Sequence, residues 1–226
     1  MNLDTTADTI SFDCYGTLVD WETGISRAFV EAAAADGLEL DGSDVLAAYQ
    51  EIEADVEAGD YLPYREVLAE TSSRIAGLLG WSLQPDRAYF LAESLPDWPV
   101  FPDTRGALER LKSRFKVAIL SNVDDDLLRA TVERIGVEFD WIVTAQKTRS
   151  YKPALGHFEE AIRKIDGDMT RLLHAARSYF HDVVPCLQLG LSVVWVNRQG
   201  KDLPDAGARP LHTVSDLTEL AGWLDV

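Results

Sequence analysis

The feature that most limits how this chain can fold is an alternation of two kinds of segment. Five short apolar runs, "TISFD" (9–13), "KVAILS" (116–121), "WIVTA" (141–145), "LLHAA" (172–176) and "SVVWVN" (192–197), are each too short for an ordinary helix. Most of them are rich in β-branched residues. Between the later runs, "DTRGALERLKSR" (103–114), "DDDLLRATVERIG" (124–136) and "ALGHFEEAIRKI" (154–165) repeat apolar residues at three- and four-residue spacing, with Gly136 as a C-terminal stop signal. Strands that alternate with helices imply right-handed crossovers, and so an α/β fold with a mainly parallel sheet covered on both faces.

Residues 20–98 break that rhythm. "GISRAFVEAAAADG" (24–37), "SDVLAAYQEIEADVEAG" (43–59), "YREVLAETSSRIAGLLG" (64–80) and "PDRAYFLAESL" (85–95) read as helix after helix, and "LPDWPVFPDT", with its three prolines, resembles a linker returning to the sheet. The expected organisation is a core of residues 1–19 and 99–226 with an all-helical insert at 20–98. Open α/β sheets bind ligands at the carboxyl ends of their strands, so such an insert is expected to lie there as a lid.

Composition narrows the function classes. A formal charge of −17 and a pI near 4.5 argue against a nucleic-acid partner, because counterion release needs clustered Lys and Arg. If the ligand is a small anion, specific Arg, Lys and backbone N–H donors must override the acidic background. Two cysteines, Cys14 and Cys186, are too few for a disulfide framework and sit in apolar contexts, as expected of buried thiols in a reducing compartment. No run of about 18 apolar residues is present, and "MNLDTTADTI" lacks the basic and apolar regions of a signal peptide. The expectation is a cytoplasmic protein with no membrane partner, acting on a small anionic substrate, with a homodimer as an open assembly state.

Polar residues cluster at the ends of the proposed strands: Asp13 after the first, Ser121 and Asn122 after the second, Lys152 beyond the third and Asp182 beyond the fourth. In a parallel sheet all converge on one edge. A nucleophilic carboxylate needs a nearby cation to hold it ionised and oriented, and donors to neutralise charge building on the group it attacks. Lys152 can supply the cation, and Ser121, Thr17 and the backbone N–H groups near Gly16 can supply the donors.

With "DCYGT" (13–17), "LSN" (120–122), "YKP" (151–153) and an acidic segment ending at Asp182, the chain resembles the haloacid dehalogenase superfamily of aspartyl hydrolases and transferases, over essentially its whole length. The resemblance implies a Rossmann-like parallel core with a helical cap inserted after the first motif. Superfamily phosphatases usually carry a second Asp two positions after the nucleophile, to protonate the leaving alcohol; here that position is Tyr15. A Tyr there is similar to the metal-independent L-2-haloacid dehalogenases, with no cofactor, because halide leaves without protonation. The resemblance implies that Asp13 displaces halide from the α-carbon of a small 2-halocarboxylate to form an ester, that water cleaves the ester, that Asp182 orients or activates this water, and that Lys152 steadies Asp13.

Several positions depart from that pattern. The family's early cap Arg, which receives the halide, has no counterpart in "AAYQEIEADVEAG" (47–59), and Arg65, in "YREVL", is the nearest substitute. A Tyr six positions after the motif-three Lys is replaced by Phe158, and Arg177 and Tyr179 replace a Ser and an Asn ahead of Asp182, with Ser178 between them and His181 beside it. Tyr15, Thr17, Ser121, Asn122, Arg65, Arg177 and Ser178 are the expected substrate contacts. Each has a plainer alternative, such as a packed aromatic for Tyr15 or a solvated helix cation for Arg65. Two further functions stay open: a phosphatase of small phosphomonoesters, with Mg²⁺ held by Asp13, the Tyr15 carbonyl and Asp182, and a catalytically silent binding protein on the same scaffold.

Overall fold

The computed structural model describes residues 6–203 and 209–226. Residues 1–5, half of the N-terminal stretch read above for a signal peptide, lie outside the described residues. The chain divides into two compact units, one of residues 1–19, 100–122 and 135–226 and the other of residues 20–99 and 123–134.

The first unit is built on β1 (Thr9–Phe12), whose four residues are all buried, so both faces of the strand are covered. A parallel sheet needs this, since its crossovers lay helices on each side. The other strands and helices of this unit, with those of the second unit interleaved in chain order, are numbered along the chain. The second unit opens with α1 (Trp21–Ala35), α2 (Gly42–Glu57), α3 (Tyr64–Leu78) and the short α4 (Phe90–Ser94). The first resumes with α5 (Thr104–Leu111) and β2 (Lys116–Ser121). After α6 (Asp125–Ile135) come β3 (Trp141–Thr144), α7 (Ala145–Thr148), α8 (Gly156–Lys164) and β4 (Leu172–Ala176). A π-helical turn (Tyr179–Val183) leads into α9 (Val184–Leu189), followed by β5 (Ser192–Val196), β6 (His212–Val214) and α10 (Leu217–Trp223).

The strands form one sheet in the order β3-β2-β1-β4-β5-β6, every pair parallel. The α/β class and the parallel sheet are as expected, and the five anticipated strands appear within one residue of their expected limits. β1 is central, flanked by β2 and β4, so the residues that follow these three strands emerge side by side. One face of the sheet packs Leu120, Val143, Leu172, Val193 and Trp195 against Phe158, Ala161 and Ile165 of α8 and Cys186 of α9. Side chains alternate between faces along a strand, so Val117 and Ile119 point to the opposite side, where α5 packs on β2 and α10.

The second unit is helical. Asp20 and Asp41 cap α1 and α2 by accepting the N–H groups of Thr23 (3.1 Å) and Ser43 (2.7 Å). α3 starts after Pro63, which offers no side-chain cap; instead the Asp124 carboxylate accepts the N–H of Tyr64 (3.0 Å) and of Arg65 (2.9 Å). Residues 123–134, whose helix was expected to belong to the α/β core, therefore group with the helical segment. Residues 85–95, expected as one helix, form a 3₁₀ turn at Pro85–Arg87 followed by α4. No helix among the described residues is long and apolar enough to cross a membrane.

Candidate active site

The site lies within the first unit and begins with the loop after β1. Cys14 is fully buried, and its carbonyl accepts the N–H groups of Thr17 (3.3 Å), Leu18 (2.7 Å) and Val19 (3.1 Å). The chain thus winds round one oxygen. Gly16 sits at φ 97°, in the left-handed region that favours glycine, and donates its own N–H to Val19 O at 2.7 Å. This winding brings Thr17 Oγ1 to 2.8 Å from Asp13 Oδ2, to which it donates, while Thr17 Oγ1 itself accepts the N–H of Arg177 at 2.9 Å. Asp13 itself is 7% exposed.

Lys152 joins the strand ends. Its Nζ donates to Asp13 Oδ1 (2.9 Å), Asp182 Oδ1 (2.7 Å) and Leu120 O (2.9 Å), which uses all three of its N–H groups in a site where it is 2% exposed. Its backbone is clasped in turn: Asn122 Oδ1 accepts Lys152 N–H at 2.7 Å and Asn122 Nδ2 donates to Lys152 O at 3.0 Å. Burial works against the ammonium charge, but Asp13 and Asp182 outweigh it and hold Lys152 protonated above its ordinary range. Burial likewise favours a neutral Asp182, and Lys152 together with the His174 hydrogen bond overcomes it, leaving Asp182 ionised well below the usual carboxylate range.

Asp182 is delivered by the π turn, a local widening of the helix that is frequent at functional sites. Ser178 staples this turn: its Oγ accepts His181 N–H at 3.1 Å, and its carbonyl accepts the N–H groups of Asp182 (3.2 Å) and Val183 (3.3 Å). Asp182 is fully buried, and its Oδ2 has no hydrogen-bond partner among the described residues. The same holds for the buried Ser121 hydroxyl. The Ser121 carbonyl faces His157 Nε2 at 3.1 Å, so Nε2 carries the proton, and burial with the nearby Lys152 charge pushes this imidazole down to about 3, neutral at ordinary pH.

Asp13, Thr17, Ser121, Asn122, Lys152, Arg177, Ser178 and Asp182 are thereby brought to the ends of β1, β2 and β4 and the turns that follow them. Asn122 and Ser178, expected to face a substrate, have these polar atoms engaged with Lys152 and with the π turn. Tyr15 bridges to Val19 across the loop. Arg65 belongs to the second unit, where its guanidinium pairs with Asp126 at 2.7 Å.

Two groups were missed. His174, in the middle of β4, holds Asp182 Oδ1 through Nε2 at 3.1 Å and meets Ser11 Oγ through Nδ1 at 2.8 Å. A histidine inside "LLHAA", a run otherwise apolar, was the available signal. Arg198, just past β5, donates to Thr17 O (2.8 Å), pairs with both oxygens of Asp103 and lies 4.0 Å over the Phe101 ring, bracing the loop after β1. No spacing rule connects it to that loop.

The donor set fits a Mg²⁺ ion poorly. Mg²⁺ demands near-octahedral oxygens at about 2.0–2.1 Å, whereas Asp13 Oδ1 and Asp182 Oδ1 share the Lys152 ammonium and Asp13 Oδ2 takes the Thr17 hydroxyl. Among the described residues no group of three or more His, Cys, Asp or Glu side chains is placed to hold a metal.

A carboxylate held between a lysine and a threonine at the end of a central parallel strand, with a second carboxylate on the same lysine, is the candidate site. Residues 7–175 match the family model of haloacid dehalogenase-like hydrolases, and the chain belongs to that family. The haloacetate dehalogenase H-2 of Moraxella sp. (strain B) is 25% identical over 215 residues, covering 92% of this chain and 93% of that protein. The (S)-2-haloacid dehalogenase 2 of Pseudomonas sp. (strain CBS-3) is 26% identical over 170 residues, 74% of each. The same fold occurs in the solved structure of the L-2-haloacid dehalogenase from Xanthobacter autotrophicus with chloropropionic acid covalently bound, at a TM-score of 0.83 and 20% identity over 97% of this chain and 98% of that one.

Proposed function

We propose that this protein hydrolyses the carbon–halogen bond of a small 2-halocarboxylate, with Asp13 as the nucleophile. The observation that carries this is the buried Lys152 ammonium seated between Asp13 Oδ1 and Asp182 Oδ1. It holds the Asp13 carboxylate oxygen in place, and the residue two positions on is Tyr15, with no carboxyl group to protonate an alkoxide. A halide ion needs no such proton. The similarity to haloacid dehalogenases over nearly the full chain supports the same chemistry.

In the first step an Asp13 oxygen forms a bond to the substrate α-carbon as the carbon–halogen bond breaks, and the halide leaves with the electron pair. In the second, water attacks the ester carbonyl of Asp13 while Asp182 Oδ2 accepts its proton. The carbonyl-to-alkoxy bond then breaks, the departing oxygen takes the proton back from Asp182, and Asp13 gives up its own proton to solvent, which regenerates the carboxylate and releases a 2-hydroxy acid. Lys152 and the Ser121 hydroxyl, both buried, are assigned to stabilise the negative charge that develops, an interaction that burial strengthens. Arg177, whose backbone is fixed on Thr17 next to the nucleophile, is assigned to the substrate carboxylate.

The test is halide release from chloroacetate and 2-chloropropionate with a chelator present. Turnover should persist in the chelator and fall by at least about 10³-fold in Asp13→Asn, since the nucleophile is lost. Phosphate release that depends on added Mg²⁺, with no halide released from either acid, would overturn the proposal in favour of a phosphatase.

A further inference from the structure

His174 is fully buried in a strand whose neighbours Leu173 and Ala175 are apolar, a position where an aliphatic side chain would pack without polar partners. The fold instead fixes this imidazole from three sides. Its Nε2 faces the Asp182 carboxylate, an acceptor, at 3.1 Å, so Nε2 carries a proton and donates it. Its Nδ1 lies 2.8 Å from the hydroxyl of Ser11, the residue directly opposite in the β1–β4 pairing, and Ser11 is itself fully buried. The edge-to-face ring of Phe158, 5.6 Å away at 90°, sets the plane of the imidazole.

Both donors to Asp182 land on the same oxygen. Lys152 alone could hold either oxygen, because a carboxylate turns readily about its Cβ–Cγ bond. With His174 also on Oδ1, that rotation is blocked, and Oδ2 is the oxygen left without a partner among the described residues. We infer that His174 is a positioning residue for the second half-reaction: through its Ser11-oriented Nε2–H it anchors Asp182 Oδ1, so that Oδ2 stays directed at the water that cleaves the Asp13 ester. The inference rests on the dehalogenase reaction proposed above. His174 does not touch the water or the substrate, and formation of the ester does not depend on it.

This asymmetry between the two steps supplies the test. His174→Leu removes the donor, His174→Gln keeps a side-chain amide N–H that can reach Asp182, and Ser11→Ala removes the hydroxyl that orients the ring. Each is followed with 2-chloropropionate by steady-state halide release, by halide released in the first turnover, and by the intact mass of the protein. His174→Leu should lower steady-state turnover about 10- to 100-fold, the usual effect of deleting a hydrogen bond to a charged catalytic group. First-turnover halide release should stay within about threefold of wild type, so a mass adduct accumulates on Asp13. His174→Gln should recover most of the loss, and Ser11→Ala should show a smaller defect in the same step.

A wild-type protein that turns over normally, beside a His174→Leu protein that slows both steps alike or neither, overturns the assignment and leaves His174 as a strand-pairing residue. If His174→Leu does not fold, Ser11→Ala decides alone: adduct accumulation supports the assignment, and an unchanged or equally slowed pair of steps overturns it. A wild-type protein that releases no halide overturns the reaction itself, which is a separate outcome.

Discussion

Lys152 is the residue on which the site's charge balance turns, and His157 beside it answers to burial and to that charge. His157 shows the effect on stability. It stays neutral down to about 3 in the folded protein, against an ordinary value of 6.5. Between those limits the unfolded chain binds a proton that the folded chain refuses, so stability falls as pH drops from 6.5 towards 3, by at most several kcal/mol at about 1.4 kcal/mol per unit. In His157→Gln, where an amide can still donate to Ser121 O, the drop in melting temperature between pH 7 and pH 4 should be smaller than in wild type by several degrees. An identical slope in thermal melts of the two proteins would refute this. Of the site residues, Asp13, Lys152 and Asp182 were legible because their chemistry demands charged groups at strand ends. His174 and Arg198 were not, since each acts through a partner that only the sheet order brings near.

At the scale of elements, local pattern was a sound guide wherever an element carries its own apolar run or buries a periodic face. β1 through β5 and α1 through α3 have that property. β6 has three residues and α7 four, too few to show any period, and both depend on what they pack against. α3 shows where a local rule fails: its N-terminal N–H groups are satisfied by Asp124, about sixty residues further along the chain. α1 carries a different constraint. A Cβ built on Gly24 would lie 2.3 Å from Trp98 Cγ, inside a contact where the indole is buried and its Nε1 donates to Ser94 Oγ at 3.0 Å. Gly24→Ala should therefore destabilise the protein by about 1–3 kcal/mol, despite alanine's better helix propensity. Urea denaturation measures this, and a midpoint at or above that of wild type would contradict it.

For the whole molecule, the α/β class followed from strand–helix alternation alone, whereas the grouping of residues 123–134 with the helical unit did not, because a helix's sequence period says nothing about which neighbour it joins. Net charge acts at this scale too. At −17 the folded chain repels itself, and raising salt from about 0.01 M to 0.15 M shortens the screening length from about 30 Å to 8 Å. The melting temperature should rise over that range, and a fall would show that specific ion pairs outweigh the collective repulsion. Lys152 links Asp13 to the fold in a further sense. Its partners lie 139 residues before it and 30 residues after it, and a cation sealed from water is costly until both have arrived. Three distant stretches of the chain are therefore tied together through a single sealed charge, and the fold shares its fate with that triad.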